Sequence, residues 1–176
     1  MGTQITQETL RFEHLRGLVE GKIPEAADLD YKGQLYGNSD SAKRDLCTDV
    51  AAQANTQGGL VIVGIDEDSQ ARAAATPGVS ISDAETLRMR QIPASGIAPF
   101  PAPDVIPVED PERPGIGCYV IAVPRSPRFP HGITINDGFR WPRRNGASIT
   151  YMSESELSSA YRSRFSLVND QSVRAQ

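Results

Sequence analysis

The chain has 176 residues, of which 39% are hydrophobic and 23% are charged, which is enough for one globular domain with a buried core. No apolar run approaches the ~18 residues that span a bilayer, and the polar start "MGTQITQETLRFEH" lacks the pattern of a signal peptide. The two cysteines are far apart and form no CxxC motif, which favours neither a zinc site nor a disulfide framework. We therefore expect a cytoplasmic protein that does not bind a membrane.

The charged residues are unevenly divided along the chain, although the formal net charge is only −4. Residues 1–120 carry 10 basic and 18 acidic side chains, whereas residues 121–176 carry 8 arginines and 4 acidic side chains. Such asymmetry either places an anion-binding face on an acidic protein or reflects chance clustering on a solvated surface. Charge alone leaves both interpretations open.

The first third of the chain predicts a helix, a strand and a second helix. Residues 7–20 have apolar side chains at helical spacing and are followed by a glycine and a proline, which end the helix. The stretch "ADLDYKGQLYG" alternates apolar and polar residues, as a short strand does. A capping residue among positions 39–41 and an apolar stripe through position 54 then predict a half-buried helix.

Two apolar runs, "LVIVGI" and "CYVIAV", predict strands that are covered on both faces. The polar stretch "DEDSQARAAATPG" after the first run predicts a loop. Capping boxes at Ser82 and Ser153 start two further helices, the first interrupted at Pro93 and the second running to about Phe165. A strand near 105–108 and hairpin strands between 133 and 150 complete the elements.

This order of elements predicts an α/β (α+β) fold. We expect a single compact domain over residues 1–166, with a mixed central β-sheet flanked by helices. The remaining residues, 167–176, are expected to form a disordered tail.

Four charged residues near two predicted strand ends form the first candidate site. Glu25 and Asp30 bracket the first strand, and Lys32 follows Asp30 on the same strand face. Asp66 directly follows "LVIVGI". If the two strands are neighbours, three carboxylates and one ammonium meet, and such oxygen ligands suit Mg²⁺ or Mn²⁺. Acidic residues at strand ends are also ordinary loop polarity, and spacing alone does not separate the two interpretations.

The arginine-rich second part provides the other candidate site. Its arginines are interleaved with aromatic residues, so that cations for phosphates adjoin rings that serve as base platforms or as core packing. We expect Arg143 and Arg144 to be the better phosphate contacts. The full set of predicted nucleic-acid contacts is Arg125, Arg128, Arg140, Trp141, Arg143 and Arg144. No GxxxxGK[ST] motif is present, so no nucleotide cofactor is expected.

The segments "EAADLDYKG", "DLCTDVAAQANTQGGLVIVGIDED", "VIAVPRSPRFPH" and "RNGASITYMSESEL" resemble, in this order, the Schlafen-type AlbA_2 domain. The resemblance covers about residues 8–165. Its most specific part is a helix that ends in F-A-N-T-x-G-G, followed by a strand and G-[VI]-[DE]-[DE]. This chain matches that signature from Ala54 to Glu67, with Gln53 in place of the phenylalanine.

The resemblance implies a nucleic-acid-binding domain that acts as a metal-dependent endoribonuclease on tRNA or other structured RNA. It implies that Glu25, Asp30 and Asp66 hold Mg²⁺ or Mn²⁺ and that Lys32 contacts the reacting phosphate. Asp30 replaces a glutamate of the family pattern, and Glu67 or Asp68 is an alternative to Asp66 as the third ligand.

Two other classes of function stay open. One is a non-catalytic DNA- or RNA-binding module of a transcription regulator or phage-defence protein, since the fold does not guarantee cleavage. The other is a protein-interaction domain that binds no nucleic acid. RNA is favoured over DNA as the partner, and a homodimer is expected by analogy with animal Schlafen cores, which resemble two such lobes joined together.

Overall fold

The computed structural model describes residues 9–174, with side chains described through residue 166. The helices are Phe12–Glu20 (α1), Asp40–Ala54 (α2), Asp83–Gly96 (α3) and Glu154–Arg174 (α4). The first six strands are Leu29–Lys32 (β1), Gly59–Val63 (β2), Asp66–Glu67 (β3), Ala73–Ala75 (β4), Val79–Ser80 (β5) and Ile97–Ala98 (β6). The others are Asp104–Glu109 (β7), Ile116–Val123 (β8), Gly132–Ile135 (β9), Gly138–Arg140 (β10), Pro142–Asn145 (β11) and Ser148–Tyr151 (β12).

The central sheet is mixed and is organised around β8. Strand β2 pairs antiparallel with β8 and parallel with β1, so β1 and β2 run in the same direction. Strand β7 pairs antiparallel along the other edge of β8, and the short β5 pairs with the start of β8. Because β8 has neighbours on both edges and helices on both faces, its sequence is almost continuously apolar, as the run "CYVIAV" predicted.

The sheet separates two apolar cores. Val61 and Ile121 point to the face covered by α2 and α3, where Leu46 is fully buried. Ile62 and Val120 point to the opposite face, covered by α1. The alternation of side chains along each strand therefore divides one sheet between two layers of helix.

Helix α2 forms where the sequence places its caps and its apolar stripe. The Ser39 hydroxyl accepts a hydrogen bond from the backbone N–H of Ala42 at 3.2 Å, which satisfies one free donor of the first turn. The helix ends at Asn55, and the following glycines have positive φ angles, +78° at Gly58 and +150° at Gly59. These conformations let the chain reverse into β2, as expected from the signature.

The predicted α+β class with a mixed central sheet flanked by helices is confirmed. The stretch "DEDSQARAAATPG" differs from expectation, because β3 and β4 form a small hairpin where a loop was predicted. Helix α3 also continues through Pro93 to Gly96. Pro93 and Met89 are both buried, so side-chain packing outweighs the hydrogen bond that a proline removes from a helix.

Helix α4 extends to Arg174, beyond the predicted end near Phe165. The side chains from residue 167 onward lie outside the described residues, and the disordered tail expected over 167–176 stays a prediction. Within the described part of the chain, no helix combines the length and the apolar character needed to cross a membrane.

Candidate functional site

Asp30 is the centre of a buried cluster of charges on the α2 side of the sheet. Strand β1 turns Tyr31 into the core beneath α1, so its neighbours Asp30 and Lys32 face the other way. Asp30 is 3% exposed, and its Oδ2 lies 2.6 Å from Lys32 Nζ. Its Oδ1 lies 2.7 Å from Arg144 Nη1. Both carboxylate oxygens of Asp30 are therefore engaged by cations, which compensates the cost of burying the charge.

The structure corrects the prediction that Arg144 contacts phosphate. The residue is 4% exposed, and its Nη2 donates to the Ala26 carbonyl oxygen at 3.0 Å while Nη1 contacts Asp30. Because β11 alternates, Arg144 points inward, whereas Arg143 lies on the opposite face of the strand and is partly exposed. Two adjacent arginines that look equivalent in sequence are thus a core ion-pair partner and a surface residue.

Asp49 and Tyr36 complete the charged cluster and were not predicted. Asp49 is 7% exposed, its Oδ2 accepts a 2.6 Å hydrogen bond from the Tyr36 hydroxyl, and the same oxygen is 3.6 Å from Lys32 Nζ. Burial raises the pKa of Asp49 to about 6, although the charge of Lys32 opposes this. The one available signal was an aspartate beside Val50 on the apolar stripe of α2, where a charge requires a buried partner.

Lys32 is held between these two aspartates and lines a cavity of about 470 Å³ together with Tyr36 and Asp49. Burial lowers the pKa of Lys32, but the charges of Asp49 and Asp30 raise it, and the net pKa lies above the usual value. Lys32 therefore carries its charge at neutral pH, at the border between the buried cluster and open solvent.

Glu25 lies half-buried at the entry to β1. Its Oε1 accepts a 2.8 Å hydrogen bond from the backbone N–H of Tyr31. Burial raises the pKa of Glu25 to about 7; the Tyr31 hydrogen bond opposes the shift, and the charges of Asp30 and Glu67 add to it. A substantial fraction of Glu25 is consequently protonated near neutral pH, which is the range in which a carboxyl group acts as general acid or base.

Asp66 lines a different cavity from Lys32. Its carboxylate passes over Gly33, where a Cβ atom would come within 2.0 Å of Asp66 Oδ1, and it lines a cavity of about 490 Å³ with Gly78 and Val79. Among the alternative ligands, Glu67 acts electrostatically on Glu25, whereas Asp68 forms an ion pair with Arg72 at 2.7 Å.

The predicted metal ligands do not assemble into a metal site in this arrangement. Among the residues that the structure describes, no group of three histidine, cysteine, aspartate or glutamate side chains is placed to hold a metal ion. The donor chemistry explains why, because Lys32 and Arg144 occupy both oxygens of Asp30 and Asp66 faces another cavity. The residues present thus do not fit a bound Mg²⁺ or Mn²⁺ without rearrangement at Asp30.

The remaining predicted nucleic-acid contacts differ in their exposure to solvent and in the partners that their side chains already have. Arg125, Arg128 and Arg140 are exposed, whereas Arg143 is partly exposed and pairs with Glu156 at 2.8 Å. Arg128 donates to the Phe100 carbonyl oxygen at 3.0 Å. The Arg140 guanidinium lies 5.3 Å from the centre of the Tyr151 ring, and the Trp141 ring is half-buried and stacks on Phe139.

The signature at the end of α2 holds three distant segments together. The Asn55 side chain donates to the carbonyl oxygens of His131 and Pro142, both at 2.8 Å, and accepts from the His131 backbone N–H at 2.6 Å. The Thr56 hydroxyl accepts from the backbone N–H of Arg144 at 2.9 Å. A Cβ atom at Gly58 would lie 2.7 Å from the backbone nitrogen of Arg125, so only glycine permits this approach.

These features define an α+β domain in which a helix-to-strand signature fixes an arginine-rich loop and hairpin region. The family model of the Schlafen AlbA_2 domain matches residues 25–153, more than half of the chain. The chain therefore belongs to the Schlafen AlbA_2 family. Membership in this family favours interaction with nucleic acid.

A solved structure has a similar fold. The DIP2311 protein from Corynebacterium diphtheriae is 21% identical and matches with a TM-score of 0.55, over 86% of this chain and 32% of that chain. This chain thus corresponds to about a third of that larger protein, and the likeness concerns the fold alone. No curated protein shows significant similarity to the chain.

Proposed function

We propose that the protein is a nucleic-acid-binding domain that contacts phosphates through its exposed arginines. The observation that carries this proposal is that Arg125 and Arg140 are exposed and have no carboxylate partner among the described residues. Cations that are not neutralised within the protein are available to a polyanion and release its counterions on binding. Family membership supports the same conclusion.

Salt-dependent binding of a labelled 12-nucleotide RNA tests the proposal. We expect affinity to fall with KCl, and the double variant Arg125→Glu/Arg140→Glu to bind more weakly. Each lost phosphate contact reduces the slope of log K against log salt by about 0.7 for a single strand. The double variant should therefore lose about 1.4 from that slope in fluorescence anisotropy titrations.

Lys43→Glu is a charge-reversal control at a lysine that pairs with Asp40 at 3.5 Å. Lys43 is exposed on the first turn of α2, about 16 Å along the helix from its C-terminal end, since each residue rises about 1.5 Å. The Lys43→Glu variant should leave the affinity for RNA and the slope of log K against log salt unchanged. An equal loss of RNA affinity in the double arginine variant and in Lys43→Glu would contradict the proposal. Binding that does not depend on salt would also contradict it, and either result would favour a protein-interaction domain.

The finer proposal is that the bound RNA is cleaved at the cluster of Glu25, Asp30 and Lys32. The observation in its favour is that the half-buried carboxyl group of Glu25 has a pKa of about 7, and that the charges of Asp30 and Lys32 both shift this pKa. Glu25 is suited to proton transfer, and Lys32 is suited to contacting a phosphate oxygen. The dependence on Mg²⁺ or Mn²⁺ implied by the family resemblance stays a prediction, since Asp30 is occupied by cations.

Incubation with tRNA, with and without Mn²⁺, distinguishes an endoribonuclease from a non-catalytic regulator or defence module. Because Asp30 also holds Arg144, Glu25→Gln is the cleaner variant, and Asp66→Ala tests the third predicted ligand. Cleavage should be lost in Glu25→Gln and retained in Asp104→Asn, which alters an exposed carboxylate on β7. Cleavage that persists unchanged in Glu25→Gln would overturn this mechanism. The preference for RNA over DNA and the expected homodimer stay predictions.

A further inference from the structure

We infer that the Phe129 ring is a stacking platform for an unpaired nucleobase, which makes the domain selective for single-stranded nucleic acid. This inference rests on the nucleic-acid binding proposed above and adds a base-binding site to it. Stacking on an aromatic ring requires an accessible ring face, a cavity of suitable size and a cation for the adjoining phosphate. The surroundings of Phe129 provide each of these.

Phe129 is half-buried and lies between two cavities. The first has a volume of about 360 Å³ and is also lined by Ala54, Thr56, Arg125, Ser126 and Pro127. The second has a volume of about 290 Å³ and lies between Phe129, Arg143 and α4. Small-molecule sites in proteins have volumes of about 300–1,000 Å³, so the first cavity is large enough for a compact ligand such as a single base.

The three aromatic rings of the hairpin region already have partners. Phe139 stacks on Trp141 with ring centres 6.1 Å apart, and Arg140 covers the Tyr151 ring. Within the part of the chain that the structure describes, the Phe129 ring takes part in no ring stack or cation–π contact. A base that stacks on Phe129 therefore displaces no aromatic or cationic partner of that ring.

One arginine lines each of the two cavities that Phe129 lines. Arg125 lines the first cavity and has no hydrogen-bond or ion-pair partner among the described residues. Arg143 lines the second cavity. Burial lowers the pKa of His131, its hydrogen bond with Pro99 raises it, and the charges of Arg128 and Arg164 lower it. Arg164 on α4 is a cation that the sequence did not single out. Phosphates on either side of a stacked base would meet positive charge.

The cavity walls are held in place before any ligand binds. Asn55 fixes the His131 backbone and Gly58 admits the Arg125 backbone, so the loop that carries Phe129 is attached at both ends to the end of α2. The C-terminal end of a helix carries partial negative charge. It therefore disfavours a phosphate beside α2 and favours one beside Arg125.

A U-rich 12-nucleotide RNA with one 2-aminopurine tests this inference against a duplex of the same sequence. The wild type should bind the single strand more tightly and quench the aminopurine fluorescence. Base stacking on an aromatic ring contributes about 1–3 kcal/mol, so Phe129→Leu should weaken single-strand binding by roughly 5- to 150-fold. Duplex binding should not change in this variant.

Phe139→Leu is the matched control, since Phe139 is 54% exposed and lines neither cavity. It should leave affinity and quenching intact, and Phe129→Tyr should retain both because it keeps the ring. Should Phe129→Leu fail to give a cooperative melting curve, the quenching of the aminopurine by the wild type and by Phe129→Tyr tests the inference, and its absence in both overturns it.

The outcomes separate this inference from the proposed function. Salt-dependent binding with equal affinity for single strand and duplex overturns the inference alone. Loss of quenching in Phe139→Leu instead of Phe129→Leu also overturns it and moves the stacking to the hairpin. Absence of any salt-dependent binding overturns the proposed function, and the inference with it.

Discussion

At the scale of single residues, adjacent arginines on β11 have different roles. Arg144 is buried against Asp30 at 2.7 Å, whereas Arg143 pairs with Glu156 near the surface. A buried pair that loses one partner leaves an uncompensated charge in the interior. A surface pair that loses one partner exposes a charge to water, which is nearly neutral in free energy.

We therefore predict that Arg144→Met lowers the free energy of unfolding by about 3–5 kcal/mol. Arg143→Met should lower it by about 0–1 kcal/mol, because its ion pair is partly exposed. Urea unfolding followed by circular dichroism measures both. A similar decrease in the free energy of unfolding for the two variants would contradict the assignment of Arg144 to the buried charged cluster.

Glu25 predicts a dependence of stability on pH. Its pKa is about 7 in the folded protein against an ordinary value of 4.5, chiefly because of burial, so the folded state binds more protons between these values. The contribution of Glu25 to stability is fully present below about pH 4.5 and is lost as the pH rises through 7. Glu25→Gln should therefore gain stability relative to the wild type over this range.

Thermal melting at several pH values measures this difference. Glu20→Gln, an exposed carboxyl group on α1, is the matched control and should show a constant difference from the wild type. A constant difference for Glu25→Gln as well would show that its pKa is not raised in the folded protein.

At the scale of elements, the junction between α2 and β2 positions both candidate sites. Asn55 and Thr56 hold the loop at 131 and the β11 backbone, and Gly58 lets the segment after β8 approach closely. The charged cluster and the Phe129 cavities therefore depend on one short segment. Asp66 lines a cavity different from that of Lys32, and its role as a third ligand stays a prediction.

Gly58→Ala should destabilise the protein more than Gly115→Ala. Both glycines have a similar positive φ, +78° and +77°, so both variants bear the cost of a left-handed backbone, about 1–2 kcal/mol. Only at Gly58 would the new Cβ meet backbone atoms at 2.7 Å, whereas nothing lies within 4 Å at Gly115. Chemical denaturation of the two variants measures the difference in the free energy of unfolding. An equal loss in both would contradict the close approach of the Arg125 backbone to Gly58.

At the scale of the whole molecule, the two cores share one sheet. Leu15 belongs to the core under α1 and Leu46 to the core under α2, while β2 and β8 contribute side chains to both. Neither layer of helices retains an apolar surface to pack on if the sheet is lost. The domain should accordingly unfold as one cooperative unit.

We predict that fluorescence of Trp141, the single tryptophan, and far-ultraviolet circular dichroism give the same urea midpoint. Leu15→Ala and Leu46→Ala should each lower the free energy of unfolding by about 2–5 kcal/mol. Each should shift the urea midpoints of both signals together. Two separate transitions, with each variant affecting only one of them, would show that the cores are independent.

The sequence by itself determined the fold class, most elements and the family. Apolar runs such as "LVIVGI", the Ser39 cap and the Gly58 and Gly59 pair act over a few residues, so their effect can be inferred from local periodicity and backbone preference. The same holds for the resemblance, whose signature lies within one contiguous segment ending at Glu67.

Only the tertiary structure decided which charged groups meet. The contacts of Asp30 with Arg144, and of Lys32 with Asp49, join residues from different elements. Burial, which the sequence does not show, turned one arginine of an adjacent pair into a core residue and left Arg125 free. Because a charge in the interior is retained only with a partner, long-range packing fixed the composition of the site.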